Sequence, residues 1–165
     1  TLILDPDVYS MSAATNQSER QTKSGGSWLL NLSSSQHGFS NDQPLTPTEL
    51  ASGYGDYATV KSARLMHFNF GGGYGYNLVF FEKFFASCLL IVDLGLHQIS
   101  YETSKGPQST SSLGPNAHVK LALGLNSEDW IFGTSLAIDT ANYLIERTEN
   151  TFGTTDLSVF VGTRF

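Results

Sequence analysis

One stretch limits the possible folds more than any other: MHFNFGGGYGYNL, from Met66 to Leu78. Met66, Phe68, Phe70, Gly72, Tyr74, Tyr76 and Leu78 share one parity, and His67, Asn69, Gly71, Gly73, Gly75 and Asn77 share the other. In a strand the two sets point to opposite faces, one oily and aromatic, the other small and polar. A helical period does not accommodate that pattern. The alternation recurs. In 84–97, Phe84, Ala86, Cys88, Leu90, Val92, Leu94 and Leu96 form the oily set. Ser87, Asp93, Gly95 and His97 stand opposite, diluted by Phe85, Leu89 and Ile91. The segments 117–125, 130–144 and 156–165 repeat the pattern, and 26–35 and 8–16 carry it more weakly. About seven strands result, most near the roughly 9–11 residues of a tilted membrane strand.

Composition agrees with β-structure that has one oily and one weakly polar face. Only 15% of residues are charged, against about 25% in soluble domains. The net charge is −6 and the nine Lys and Arg are scattered, so there is no basic stripe for nucleic acid. The longest apolar run is CLLIV, Cys88 to Val92, too short for a membrane helix. Cys88 is the single cysteine, which excludes an intrachain disulfide and a CxxC metal pair. The start, TLILDP, has neither methionine nor signal peptide, as in a processed chain or a fragment.

Linkers and aromatics supply the orientation. Long polar linkers, 36–63, 102–116 and 145–153, alternate with the shorter 17–25, 79–83 and 126–129. Outer-membrane barrels have this asymmetry, with short periplasmic turns and long external loops. Trp28, Phe80, Phe81, Phe84, Phe85, Trp130, Phe132 and Phe165 lie beside the short turns or at the C-terminus. Tyr9, Tyr101, Tyr143 and Phe152 lie nearer the long linkers. Two such clusters would form interfacial girdles, with Trp28, Phe80, Phe84, Trp130 and the terminal Phe165 as membrane-interface aromatics. The expected fold is all-β, an antiparallel up-and-down transmembrane β-barrel. If the last strand runs inward, 8–16 starts outside, so at least one further strand is expected before Thr1. Residues 1–165 would then be the C-terminal portion of a single outer-membrane β-barrel domain.

Two segments carry a family resemblance: ATNQSERQTKSGGSWLL (Ala14 to Leu30) and FNFGGGYGYNLVFFEKFFAS (Phe68 to Ser87). They resemble a domain-of-unknown-function family of Gram-negative outer-membrane barrels, best populated in the Bacteroidetes-type envelope, from about Val8 to Phe165. The resemblance implies architecture and a bacterial outer-membrane location, a longer chain with strands in front, and outer-membrane lipids as surroundings. A C-terminal strand ending in Phe resembles the insertion signal of such barrels. No catalytic residue follows from the resemblance.

The polar parity offers lumen-lining candidates: His67, Asp93, His97, His118, Lys120, Asp139 and Arg164. Folding the short hairpins sets His67 level with 93–95 and His118 level with Ala137, so histidines and aspartates gather in the outer half. HxH and HxxxH pairs are absent from the strands, so no metal or cofactor is expected. GGGYG lacks GK[ST] and lies in a strand, so it reads as a smooth surface and not a phosphate loop. A GxSxG elbow is also missing. The expected role is structural or interactive: anchoring an envelope assembly, with loops 36–63 and 102–116 offered to envelope proteins. The alternatives are a small-solute channel, a lipid-active enzyme of the lipid A deacylase kind using His97, His118 and Ser135, or a soluble ligand-binding barrel with the oily parity inward.

Overall fold

The computed structural model describes residues 1–44, 46–54, 58–103, 105–145 and 148–163. Among them the fold is all-β. Seven strands form one antiparallel up-and-down sheet in chain order: β1 (Leu2–Ile3), β2 (Gly25–Ser40), β3 (Ser62–Phe80), β4 (Phe84–Thr103), β5 (Gly106–Asn126), β6 (Trp130–Ile145) and β7 (Thr148–Thr163). Within the described residues the sheet is open, and no pairing joins β7 to β1. None of the described helices is long and apolar enough to cross a membrane, which says nothing of strands.

The segment 8–16, expected as a strand, is instead a loop and a short helix, α1 (Met11–Thr15). Ser10 caps it, its hydroxyl accepting from the Ala13 amide at 3.0 Å. Ala13 and Ala14 are small enough to lie flat on the sheet, which the weak alternation of the segment concealed.

The long linkers also differ from expectation. Of 36–63, residues 36–40 belong to β2 and 62–63 to β3, leaving a connection that carries a 3-10 turn (Thr48–Leu50) and α2 (Ala51–Tyr54). Most of 102–116 is strand, because β4 runs to Thr103 and β5 begins at Gly106. Likewise β7 begins at Thr148, inside the linker expected over 145–153. Ser, Thr and Gln in these stretches read as loop, yet backbone pairing continues through them. Pro107 and Pro115 are tolerated because the β5–β6 ladder starts only at Asn116, so β5 is an edge strand there.

The alternation sorts the faces in an unusual sense. Leu94 is 58% exposed and its neighbour Asp93 only 2%. Directly paired residues share a face, so the register extends this across the sheet. Leu32 pairs with Phe70, Phe70 with Leu94, Leu121 with Leu136, and Leu136 with Leu157. One face is thus a continuous apolar field from β2 to β7, and most of its large side chains are exposed. Along β4 the field runs from Phe84 to Leu96, about 40 Å at ~3.3 Å per residue. Beyond it the same face turns polar, with Gln98, Ser100 and Glu102.

The N-terminal segment covers the opposite, inner face near the short turns. Tyr9 and Ala14 pack on Leu29, Leu89 and Ile91, with Ile3 and Met11 alongside. Leu89 and Ile91, which diluted the polar parity in sequence, are the floor of this small core. Gly75 leaves room for the Tyr9 ring, since a Cβ there would lie 2.3 Å from the ring carbon Cζ. Polar ties hold the segment down. Asn77 Nδ2 donates to the Ser10 carbonyl at 3.0 Å and to Gln21 Oε1 at 2.6 Å. Asn126 Nδ2 donates to the Glu19 carbonyl at 3.2 Å. Arg20 reaches both short turns, donating to the Glu82 carbonyl at 3.0 Å and pairing with Glu128 at 3.4 Å.

Candidate functional site

Beyond α1 the inner face holds a cavity of about 390 Å3, lined among others by His37, His67, His97, His118, Asn116 and Asp139. The chain has four histidines, and all of them line it, one each from β2, β3, β4 and β5. Hairpin register does this. Phe80 pairs with Phe84 across the turn 81–83, where Phe81 and Glu82 have φ of 52° and 59°. Counting back from that turn sets His67 opposite His97, a few residues from the expected level of 93–95. At the next short turn Asn126 pairs with Ile131, which sets His118 opposite Asp139 and not Ala137. Both corrections come from where each turn closes, which side-chain parity does not specify.

His67 Nδ1 and His97 Nδ1 meet at 2.5 Å, and one of the two rings donates. The His37 ring lies edge-on to His67 at 5.9 Å between centroids. His118 is held between two carboxylates, Nδ1 to Asp139 at 2.6 Å and Nε2 to Asp93 at 3.2 Å. Asp93 Oδ2 also accepts from Asn31 Nδ2 at 2.8 Å. That bond crosses β3 above Gly71, which stands between Asn31 and Asp93 in the register and has no side chain to block it. Asn116 Nδ2, paired in the register with Asp93, reaches Asn69 Oδ1 at 2.8 Å on a diagonal across β4, through the space a side chain at Gly95 would fill. The glycines of the inner parity are therefore gaps that let alternate strands bond side chain to side chain. Among the described residues no three His, Cys, Asp or Glu side chains already converge as metal ligands.

The chain matches the family model Domain of unknown function (DUF4421) over residues 2–165. It belongs to this family. No curated protein and no solved structure matches it.

In this DUF4421 domain the inner face brings together five of the seven polar candidates: His67, Asp93, His97, His118 and Asp139. Lys120 faces the same way but serves the N-terminal segment, donating from Nζ to the Thr15 carbonyl at 2.5 Å. Arg164 and Phe165 lie outside the described residues. Trp28, Phe80, Phe84 and Trp130 are exposed on the apolar face toward the short turns. Trp28 packs edge-on to Tyr74 at 5.2 Å, and Phe80 stacks on Phe84 at 5.6 Å. Two aromatics depart from expectation. Phe85 is buried on the inner parity, and Tyr9 lies in the core under the N-terminal segment instead of near the long linkers. Burial pushes the Tyr9 phenol up to about 12, with Cys88 adding to the shift.

Sequence reasoning missed His37, Asn31, Asn69 and Asn116 as members of the cluster. His37 fell in a supposed loop because β2 was ended at residue 35. The signal was there: Ser35 and His37 continue the parity of Ser33.

Proposed function

We propose that the DUF4421 domain forms part of the wall of a bacterial outer-membrane β-barrel of the Gram-negative, Bacteroidetes-type envelope, with a structural or interaction role. The carrying observation is the exposed apolar field. Monomeric soluble proteins rarely expose a contiguous apolar patch beyond a few hundred Å², and this field crosses every strand from β2 to β7. Its length of about 40 Å along β4 becomes about 28 Å at a tilt of ~45°, close to the apolar band of a membrane barrel. Trp28, Phe80, Phe84 and Trp130 at the short-turn end suit the interfacial girdle. On this reading the outer edges of β7 and of β2 beyond Leu30 are closed by further strands, because lipid leaves no backbone group unpaired. Residues 1–165 then contribute the C-terminal portion of one barrel domain.

The inner face supports a filled barrel that anchors and presents surfaces. The N-terminal segment occupies it near the short turns, and side chains bonded across the strands occupy it above. That filling counts against a solute channel. Both nitrogens of His118 are engaged by carboxylates, which counts against His118 as a general base for lipid hydrolysis. The surfaces offered to envelope partners are the connection between β2 and β3 and the polar ends of β4 and β5. The test is fractionation of the native source. The reading expects the full-length protein in the outer membrane, resistant to carbonate extraction and heat-modifiable on a gel. Recovery in the soluble fraction overturns it.

A further inference from the structure

We propose that Arg64, on the outer face, holds the phosphate of a membrane lipid headgroup. The inference rests on the lipid-facing reading above and adds to it a site and a headgroup class.

Parity fixes the position of Arg64. From Phe80 to Met66 the outer parity of β3 carries no charged and no amide side chain, and the next residue on it is Arg64. The charge stands two residues, about 7 Å of strand, beyond the apolar run. It lies at the end remote from the short turns and from Phe80 and Phe84. Among the described residues it is the one basic side chain on the outer parity of β2 to β7. It is exposed, and among the described residues neither a carboxylate nor a side-chain hydrogen bond holds it. An aliphatic stem beside apolar surface with its charge just past the edge is the arrangement of a membrane-interface arginine.

The register supplies the surroundings of the anion. Gly38 on β2 and Ser100 on β4 stand directly across from Arg64. A Cβ at Gly38 would meet only backbone, the Ala63 carbonyl oxygen at 3.1 Å and Arg64 Cα at 3.8 Å, so the Arg64 side chain leaves the space beside Gly38 open. These residues and Gln36 line a recess of about 740 Å3. Gln36 and Gln98 lie one row nearer the apolar field, on either side of Met66, and carry amide donors. A guanidinium forks onto a phosphate through two parallel N–H bonds, which leaves the remaining oxygens to hydroxyl and amide donors. Glu102 lines the same recess one row further from the field, paired with Ser62. Its charge repels an anion from that side and favours the field side of Arg64, between Gln36 and Gln98. The acyl chains then continue over Phe68 and Leu96. That continuity selects a lipid over a free anion. The net charge of −6 gives no diffuse attraction for anions, so the headgroup depends on the local cation.

The experiment titrates the full-length protein in detergent with phosphatidic acid and counts bound lipid by native mass spectrometry. Diacylglycerol with the same chains and sodium phosphate are the comparison ligands. The expected result is one phosphatidic acid per chain, preferred over diacylglycerol about tenfold. Arg64→Gln should abolish that preference without changing diacylglycerol retention. Glu102→Gln should strengthen phosphatidic acid binding about threefold, which a loosely held lipid shell would not show. A preference that survives Arg64→Gln overturns the site, and displacement of the lipid by an equal concentration of sodium phosphate overturns the lipid as its ligand. Membrane recovery of the protein without any preference overturns this inference and leaves the lipid-facing reading standing, whereas recovery in the soluble fraction overturns both.

Discussion

The two faces of this sheet are built from alternate residues of the same strands, yet they obey opposite rules. The outer face is apolar and exposed, with Leu90, Val92 and Leu94 in a row on β4. The inner face holds Asp93, between Val92 and Leu94 in sequence, and His97 a little further on, both nearly inaccessible. In water the first arrangement wastes apolar burial and the second pays desolvation, and the lipid-facing reading proposed above removes the first of these costs. The contrast also separates two kinds of stability. The outer face depends on what surrounds it. The inner face depends on its own hydrogen bonds and on the small core under Tyr9.

The sharpest way to break the comparison is Leu90→Arg, midway along the apolar run of β4. Facing lipid, it should destabilise the protein by about 2–4 kcal/mol and reduce membrane recovery. Facing water, it should change stability by no more than about 0.5 kcal/mol. Denaturant unfolding in detergent or liposomes distinguishes the two, and a neutral result removes the lipid-facing reading. Next comes Asp93→Ala on the inner face. It strips an acceptor from Asn31 and from His118, and a loss of about 1.5–3 kcal/mol is expected in the same assay. An unchanged midpoint would mean that the cluster contributes little to stability.

Smaller effects sharpen the account of the N-terminal segment. Gly75→Ala should cost about 1–2 kcal/mol by driving a methyl group into the Tyr9 ring. It should also expose the peptide bonds after Arg20 and Lys23 to trypsin. Wild-type trypsin resistance would show that the segment docks without Tyr9. Tyr9→Phe should be smallest, because among the described residues the buried Tyr9 hydroxyl has no partner. A change within about 1 kcal/mol, neutral or stabilising, is expected at neutral pH. The pH dependence has a definite sign. The unfolded chain ionises Tyr9 near 10.0 and the folded chain near 12, so the unfolded state loses its proton first. Stability present below pH 10 is therefore lost as the pH rises toward 12. Tyr9→Phe should lose less over that window, and identical pH profiles would contradict a buried phenol.

Much of this was legible in the alternation. Parity alone separated Leu94 from Asp93 and gathered His67, Asp93, His97, His118 and Asp139 on one face. Two things were illegible, for different physical reasons. Strand ends were hidden because Ser, Thr and Gln at 100–112 have the composition of loops, while pairing depends on backbone groups that composition does not report. Helix α1 was hidden because its burial comes from Ala13 and Ala14, whose small side chains give almost no periodic signal. The histidine arc was invisible to a search for spacing within one strand. Its members are thirty residues apart, at 37, 67 and 97; the hairpin register sets His67 opposite His97 and leaves His37 two residues along β2 from Ser35, the partner of His67.

The grip of Arg20 on two turns has a consequence in time. Its partners, the Glu82 carbonyl and the Glu128 carboxylate, are far from it in sequence. They come within reach of one guanidinium only after the β3–β4 and β5–β6 hairpins have formed and joined through β5. Hairpins between chain neighbours assemble ahead of contacts at such separation. The Arg20 clasp is therefore expected after both hairpins, and acts as a latch that requires both to be complete.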